Sequence, residues 1–243
     1  MKYIDKSKNP CEEFIAFVNE HQSDLEEWDD LTNNCGKEGS DIKKTLHNHL
    51  VDEQKGLCIY CEQEIHKKEE DKNFCEGEHI EHVKPKDKNS FPHLTFAYEN
   101  LAVSCAGYNK QKNDKQKKGQ FCGHKKGNKY DEELFLNPFQ QKDIAKYFIY
   151  EEAKGFCILA NPNLNFEEKR KAEYMIKKRI LDLNNRVLCD LRKNVYDLFL
   201  AETNKGFDDD KIKDLLNEDE TKLYPFHSML KYLFPHLFLA DSI

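Results

Sequence analysis

Apolar side chains recur at helical spacing in the first 56 residues. Asn9, followed by proline, is typical of a helix start, and the apolar face of that helix contains Phe14, Phe17 and Val18. A second such stretch covers residues 23–31. A third runs from Ser40, a typical N-cap, to Gly56, and its apolar positions recur every fourth residue: Ile42, Leu46 and Leu50. We therefore predict three N-terminal helices.

Shorter apolar patterns follow from residue 57 to residue 130. Glu78 to Val83 alternates well enough for a strand, which Pro85 ends. Tyr98 to Val103 is a second short apolar element. Residues 107–127 are rich in lysine and poor in apolar side chains, and we interpret them as a loop.

The last 113 residues again carry folded patterns. Lys146–Tyr150 and Gly155–Leu159 flank a short polar stretch, which predicts a β-hairpin. Four helices are expected after the hairpin: Asn165 to about Leu183, Val187 to Ala201, and residues 208–217 and 228–233. The patterns predict an α+β protein with three segments, 1–56, 57–130 and 131–243, packed as one unit.

Composition indicates a polar, folded protein. The 243 residues are 38% hydrophobic with a mean hydropathy of -0.87, and 16 Phe and 11 Tyr supply large apolar faces for a core. The start of the chain lacks the apolar run of a signal peptide, and no stretch reaches membrane-spanning length. We expect a cytoplasmic protein that does not associate with a membrane.

The charge is distributed unevenly along the chain. Eleven lysines from residue 84 to residue 129 oppose only Asp87, Glu99 and Asp114, a local charge of +8. Because the chain carries -7 in total, the remaining residues carry -15. One basic segment in an acidic protein indicates a localised site for a polyanion such as nucleic acid, although a solvated lysine loop is the commoner origin of a charge run.

Four of the nine cysteines have the spacing of a metal site. Cys58 and Cys61 form a C-x₂-C turn that directs two thiolates to one ion. Cys105 and Cys122 flank the basic loop and are the best candidates to complete a tetrahedral structural Zn²⁺ site. The alternative, a small buried thiol, suits the cysteines that stand alone in helix or strand patterns: Cys11, Cys35, Cys157 and Cys189. Cys75 fits either role.

The adjacent pair Glu81-His82 can carry hydrolytic chemistry. A carboxylate on a divalent ion beside a neutral histidine suits phosphodiester hydrolysis, with the histidine taking a proton from water. Adjacent strand residues point to opposite faces, so the strand must end or twist there for both to serve one site. His124 is available as a second ligand. Alone, the pair would be interpreted as exposed polar residues, but it lies between two pairs of cysteines.

Several motifs together resemble the HNH (ββα-metal) endonucleases. The motifs are Cys58-Ile-Tyr-Cys61, Ile80-Glu-His-Val-Lys-Pro85, Tyr98-Glu-Asn-Leu101, Ser104-Cys105 and Cys122-Gly-His-Lys-Lys-Gly-Asn128. They are most similar to one subgroup, the nuclease subunits of Septu-type anti-phage systems (PtuB), which also occur with some retrons. The later stretches that look similar to this subgroup are Leu136-Asn-Pro138, Leu181-Asp-Leu-Asn184 and Pro225-Phe-His-Ser-Met-Leu230. The resemblance implies a zinc-stapled ββα-metal core flanked by helices.

The resemblance also implies residue roles. His82 would be the general base, Glu81 a ligand of catalytic Mg²⁺ or Mn²⁺, and Asn100 the brace of the loop behind His82. His124 would be the second ligand, but the family's third His or Asn usually follows the last cysteine directly, where this chain has Gly123. The side chains that could replace His124 are Asn109, Asn128 and His79.

The same resemblance implies substrate and partners. The lysines flanking the proposed cleft would bind phosphates without reading sequence: Lys84, Lys86, Lys88, Lys112, Lys125 and Lys126. Family precedent favours DNA, and a structured RNA such as tRNA stays open. Implied partners are an ABC/SMC-like ATPase of the PtuA type and a retron msDNA or reverse transcriptase. The alternative function is a zinc-stabilised nucleic-acid-binding or adaptor protein without catalytic activity.

Overall fold

The computed structural model describes residues 1–68, 77–107, 120–204 and 221–237 and has the predicted α+β composition. Within these residues there are seven α-helices and two two-stranded antiparallel sheets. The helices are α1 (Glu12–Glu20), α2 (Asp30–Asn33), α3 (Gly36–Glu53), α4 (Cys122–Lys126), α5 (Phe166–Ile176), α6 (Arg186–Asn204) and α7 (His227–Leu233). The strands are β1 (His79–His82), β2 (Leu101–Ser104), β3 (Phe148–Glu151) and β4 (Cys157–Ala160).

The N-terminal helices differ from the predicted ones in the second stretch. The prediction of a helix over residues 23–31 is wrong, because a 3₁₀ turn at Gln22–Asp24 is followed by extended backbone at Leu25. The carboxylate of Asp30 accepts the backbone N–H groups of Glu26 and Glu27 at 2.9 and 2.6 Å. Those donors are therefore satisfied without a helix, and α2 begins only at Asp30.

Helix α3 starts five residues earlier than predicted, because its N-cap is Cys35 and not Ser40. Ser40 does not cap it, because the Ser40 hydroxyl donates to the Gly36 carbonyl at 3.0 Å inside the first turn. At the other end, Gln54 fastens the helix to strand β2: its side chain accepts the Val103 N–H at 2.6 Å and donates to the Val103 carbonyl at 2.9 Å. Helix α3 thus fixes the position of the first sheet.

Strands β1 and β2 pair in register, with His79 opposite Ser104 and His82 opposite Leu101. All four residues of β2 are buried. The Val83 N–H continues the pairing by one residue, donating to the Asn100 carbonyl at 3.0 Å. Helix α4 comes after β1 and β2 in the chain, which gives the described part of the central segment a β-β-α order.

The C-terminal hairpin is confirmed as β3 and β4. Asn165 caps α5, as predicted, and the structure shows a reciprocal side-chain exchange with Glu168. The helix ends at Ile176 instead of near Leu183, because the chain turns there and buries consecutive apolar residues that one helix face cannot hold. The turn brings the Leu181 carbonyl to the start of α4, where it accepts the Cys122 N–H at 2.8 Å.

Helix α7, near the C-terminus, contacts earlier parts of the chain. Helix α7 packs on β3, and Ser228 at its first turn donates to the Glu62 carboxylate through its hydroxyl at 2.5 Å and its N–H at 2.8 Å. The division into three segments stays a prediction. The helix predicted over residues 208–217 lies outside the described residues. Among the helices that are described, none combines the length and apolar character needed to cross a membrane.

Candidate metal centre and catalytic site

The four cysteines predicted to bind zinc lie together. Their sulfur atoms are all within 4.8 Å of one another, and all four residues are buried. A tetrahedral ion with bonds of about 2.3 Å to sulfur requires sulfur atoms about 3.8 Å apart. The sulfur atoms of Cys61 and Cys105 are 3.8 Å apart, so the cluster can hold a metal ion such as zinc.

Local backbone structure forms this cluster. Cys58 and Cys61 lie in a turn closed by the Cys58 N–H to Gln63 carbonyl bond at 2.8 Å. Two further backbone donors face sulfur: the Cys105 N–H points to Cys58 Sγ at 3.3 Å, and the Gln63 N–H points to Cys61 Sγ at 3.4 Å. Burial disfavours the thiolate, but bonds from the neighbouring thiols outweigh it and hold the pKa of Cys58 well below its usual range. Cys58 therefore ionises more readily than Cys122, because burial and the neighbouring thiols raise the pKa of Cys122.

Glu81 lies on β1 next to this cluster and is almost completely buried. Its Oε1 accepts from the Tyr60 hydroxyl at 3.0 Å and pairs with Lys126 Nζ at 2.8 Å. Its Oε2 faces His79 Nε2 at 3.2 Å. Burial alone would raise the pKa of this carboxyl, but Lys126 and His79 outweigh it and lower the pKa to about 2. Glu81 is thus a fixed carboxylate at neutral pH.

His82 occupies the end of β1 with one ring nitrogen committed. Nε2 lies 2.9 Å from the Thr95 carbonyl and must donate to it. The edge of Trp28 packs against the ring, with centroids 4.8 Å apart and planes at 88°, and His82 is 8% exposed. Burial, together with Lys86 and Lys126, lowers the pKa of His82 to about 4. The ring is therefore neutral at pH 7, with its lone pair on Nδ1.

Asn100 braces the chain directly behind β1. Its side chain accepts the Lys84 N–H at 2.8 Å and donates to the Lys84 carbonyl at 2.9 Å. A third bond, to the Leu94 carbonyl at 3.3 Å, ties the same amide to the loop that carries Thr95. Asn100 therefore holds both segments that orient His82.

His124 lies beside the site on helix α4. Its Nε2 lies 2.9 Å from the Gly77 carbonyl, and its ring packs on His79 with centroids 4.2 Å apart. Of the other candidates for this ligand position, Asn128 donates to Asp87 at 3.3 Å on the surface. Asn109 lies outside the described residues, as does Cys75. The candidate that contacts Glu81 is His79.

The predicted phosphate-binding lysines fall into different environments. Lys126 is 1% exposed and paired with Glu81, so it does not present its charge to a phosphate in this structure. Lys84 is partly buried over the ring of Phe91, 4.7 Å from the centroid. Of the other predicted lysines, Lys86 and Lys88 are exposed and Lys125 is partly buried. Lys112 lies outside the described residues.

The structure adds two residues that were not assigned to the site from the sequence: Tyr60, which holds Glu81, and Trp28, which covers His82. It also gives Lys126, predicted to bind phosphate, a different role, because the buried ammonium pairs with Glu81. The position of Tyr60 inside the C-x₂-C turn was a usable signal, because the turn faces β1. Nothing in the local sequence distinguishes Lys126 from its neighbours, or links Trp28 to a residue 54 positions away.

Comparison with known proteins finds a protein of similar sequence. A protein of Vibrio cholerae serotype O1 biovar El Tor, named "Retron Vc95 putative HNH endonuclease", is 29% identical over 152 residues. The match covers 56% of this chain and 67% of that protein. No family model matches the chain. The similarity supports the resemblance to HNH endonucleases and does not bear on the Septu-type subgroup; the retron belongs to the name of the Vibrio protein.

Proposed function

We propose that this protein is a metal-dependent HNH endonuclease that hydrolyses phosphodiester bonds. The observation that supports this most is the state of His82: a neutral imidazole with Nε2 fixed on a carbonyl, next to the fixed carboxylate of Glu81. The β-β-α order of the central segment and the cysteine cluster agree with the same proposal. So does the similarity to the retron protein.

His82 would act as the general base. Because Nε2 carries the proton donated to Thr95, Nδ1 holds the lone pair that can take a proton from water. Asn100 would maintain the position of the ring by fixing the backbone on both sides of it. A pKa lowered to about 4 keeps the base available throughout the neutral range.

Glu81 would hold a divalent ion, Mg²⁺ or Mn²⁺. The donor set fits such an ion, because one carboxylate oxygen is fixed by Tyr60 and Lys126 while the other faces an imidazole nitrogen. When bound, the ion would stabilise the charge that develops on the phosphate and the leaving oxygen. The cysteine cluster would hold a structural Zn²⁺ and keep the turn of Cys58 and Cys61, the end of β2 and the start of α4 together.

The substrate would be nucleic acid bound through its backbone. A cleft of about 450 Å³ borders Trp28 and Thr95, both of which contact the His82 ring, and Lys86 and Lys88 line it. Acidic side chains also line the cleft, among them Asp87 and Glu27, and Glu27 pairs with Lys88 at 2.7 Å. We infer weak sequence preference, because lysines give affinity without reading bases. DNA is favoured over structured RNA such as tRNA.

The biological role that fits these features is an effector of anti-phage defence. We infer control by an ABC/SMC-like ATPase of the PtuA type and an association with a retron msDNA or reverse transcriptase. These partners rest on the resemblance of the sequence motifs and on the retron named for the Vibrio protein. Mixing the purified chain with each partner and measuring complex formation by size-exclusion chromatography tests them.

Cleavage assays with several substrates test the function. We expect plasmid DNA to be cut in Mg²⁺ or Mn²⁺ and not in EDTA, with tRNA and single-stranded DNA assayed in parallel, each with and without the ATPase. His82→Ala should abolish cleavage while zinc content is unchanged. His93→Ala is the matched control, because His93 is an exposed histidine in the neighbouring turn. Cleavage that persists in EDTA contradicts the proposal.

The alternative, a nucleic-acid-binding or adaptor protein without catalytic activity, makes different predictions. The ion pair between Lys126 and Glu81 and the cover of Trp28 over His82 would then be permanent features. A binding module keeps salt-dependent affinity for nucleic acid but never cleaves it. An adaptor shows neither property.

A further inference from the structure

We propose that His79 is the second protein ligand of the divalent ion, paired with Oε2 of Glu81, and that Gly123 provides the space for this pair. The inference rests on the proposed function and names a ligand within the same site. His79 and Glu81 are two residues apart on β1, so both side chains leave the strand on the same face.

The distance between the two donor atoms suits one ion. His79 Nε2 and Glu81 Oε2 are 3.2 Å apart. Two ligands about 2.1 Å from an octahedral ion, at a right angle to each other, are about 3.0 Å apart. The pair can therefore bind one Mg²⁺ or Mn²⁺ with only a small movement of either side chain.

The remaining atoms of both residues are already held. Nδ1 of His79 lies 3.4 Å from the Gly77 carbonyl, the kind of support that a metal-binding histidine usually receives at its second nitrogen. Oε1 of Glu81 is occupied by Tyr60 and Lys126. The two atoms that would bind the ion are Nε2 of His79 and Oε2 of Glu81, which face each other at 3.2 Å.

His124 is held at the other ring nitrogen. Its Nε2 lies 2.9 Å from the Gly77 carbonyl and must donate a proton there, so its lone pair is on Nδ1, whereas the nitrogen of His79 beside Glu81 Oε2 is Nε2. The same Gly77 carbonyl also lies 3.4 Å from Nδ1 of His79. His124 is thus a positioning residue that fixes the acceptor of His79 and packs against its ring.

Gly123 supports the assignment independently. A Cβ atom on this residue would lie 2.5 Å from Glu81 Oε2 and 2.7 Å from His79 Nε2, closer than real Cβ contacts. Gly123 is not among the glycines with positive φ, so its backbone conformation does not require glycine. The residue is needed for space, and that space lies at the two proposed donor atoms.

Pulsed EPR of bound Mn²⁺ tests the assignment without reference to activity. The full, zinc-loaded chain is titrated with Mn²⁺, and coordinated imidazole nitrogen is detected through its coupling to the ion. We expect one coordinated nitrogen in the wild type and in His124→Ala, and none in His79→Ala. Losing a group that only supports a ligand typically weakens metal binding by about 10–100-fold. The Mn²⁺ dissociation constant should therefore rise by more than this range in His79→Ala, and should stay within or below it in His124→Ala.

Zinc content and circular dichroism establish that each variant is folded. If His79→Ala does not fold, Gly123→Ala gives the same test, because it keeps both donors and should weaken Mn²⁺ binding by at least about tenfold. A nitrogen signal that persists in His79→Ala, or is lost in His124→Ala, overturns the inference while leaving the proposed function intact. A wild type that neither binds Mn²⁺ nor cleaves nucleic acid overturns both.

Discussion

Replacing Lys126 by methionine tests whether the buried ammonium holds the candidate site together. Lys126 Nζ contacts Glu81 Oε1 at 2.8 Å, the His82 carbonyl at 3.0 Å and the Gly127 carbonyl at 3.1 Å. Methionine preserves the volume but leaves the Glu81 carboxylate buried without its cation. Breaking a buried ion pair from one side costs about 3–5 kcal/mol. We expect a loss of this size in the free energy of unfolding.

Urea denaturation at pH 7 of zinc-loaded protein without Mg²⁺ measures this loss. Lys125→Met is the matched control, because it removes the same charge from the preceding, more exposed residue and should change stability by less than about 0.5 kcal/mol. In a double variant, Lys126→Met with Glu81→Gln, no buried charge is left unpaired. Its loss in the free energy of unfolding should therefore be smaller than the sum of the two single losses by about 1–3 kcal/mol. Equal effects of Lys126→Met and Lys125→Met, or additive losses in the double variant, refute this reasoning.

Three further predictions concern the base, the zinc cluster and the brace. Cleavage measured as kcat/KM should stay flat from about pH 5.5 to 8, because His82 loses its proton with a pKa of about 4 and acts when deprotonated; a limb centred near the ordinary histidine value of about 6.5 contradicts this. Cys105→Ser should remove the zinc measured by atomic absorption and unfold the central segment, whereas Cys157→Ser, outside the cluster, should keep one zinc per chain. Asn100→Ala should lower the free energy of unfolding in urea by about 2–3 kcal/mol by leaving buried backbone groups unpaired, and Asn128→Ala on the surface should have little effect.

Features determined by local spacing could be predicted from the sequence. The C-x₂-C turn and the two cysteines around the basic loop have few ways to bury four thiols, and they meet as expected. The capping box at Asn165 and the C-terminal hairpin were also predictable, because each depends on residues within a few positions of one another. The strand bearing Glu81 and His82 belongs to the same class of feature.

Features determined by tertiary contacts could not be predicted. Lys126 lies in a run of lysines that composition assigns to solvent, and only the position of α4 against β1 buries it on Glu81. Trp28 reaches His82 because Asp30 replaces helical hydrogen bonds and stops the predicted helix over residues 23–31. The choice of His79 over His124 depends on which imidazole nitrogen lies beside Glu81 Oε2, which no sequence pattern states.

The rate of a single cleavage turnover by wild type and by His82→Ala, with saturating Mn²⁺ and labelled DNA, tests the central claim most directly. If His82 is the general base, its removal should slow the chemical step by about 10²–10⁴-fold, while Mn²⁺ affinity, zinc content and the rate of His93→Ala stay at wild-type values. A His82→Ala protein that cleaves at the wild-type rate contradicts the claim.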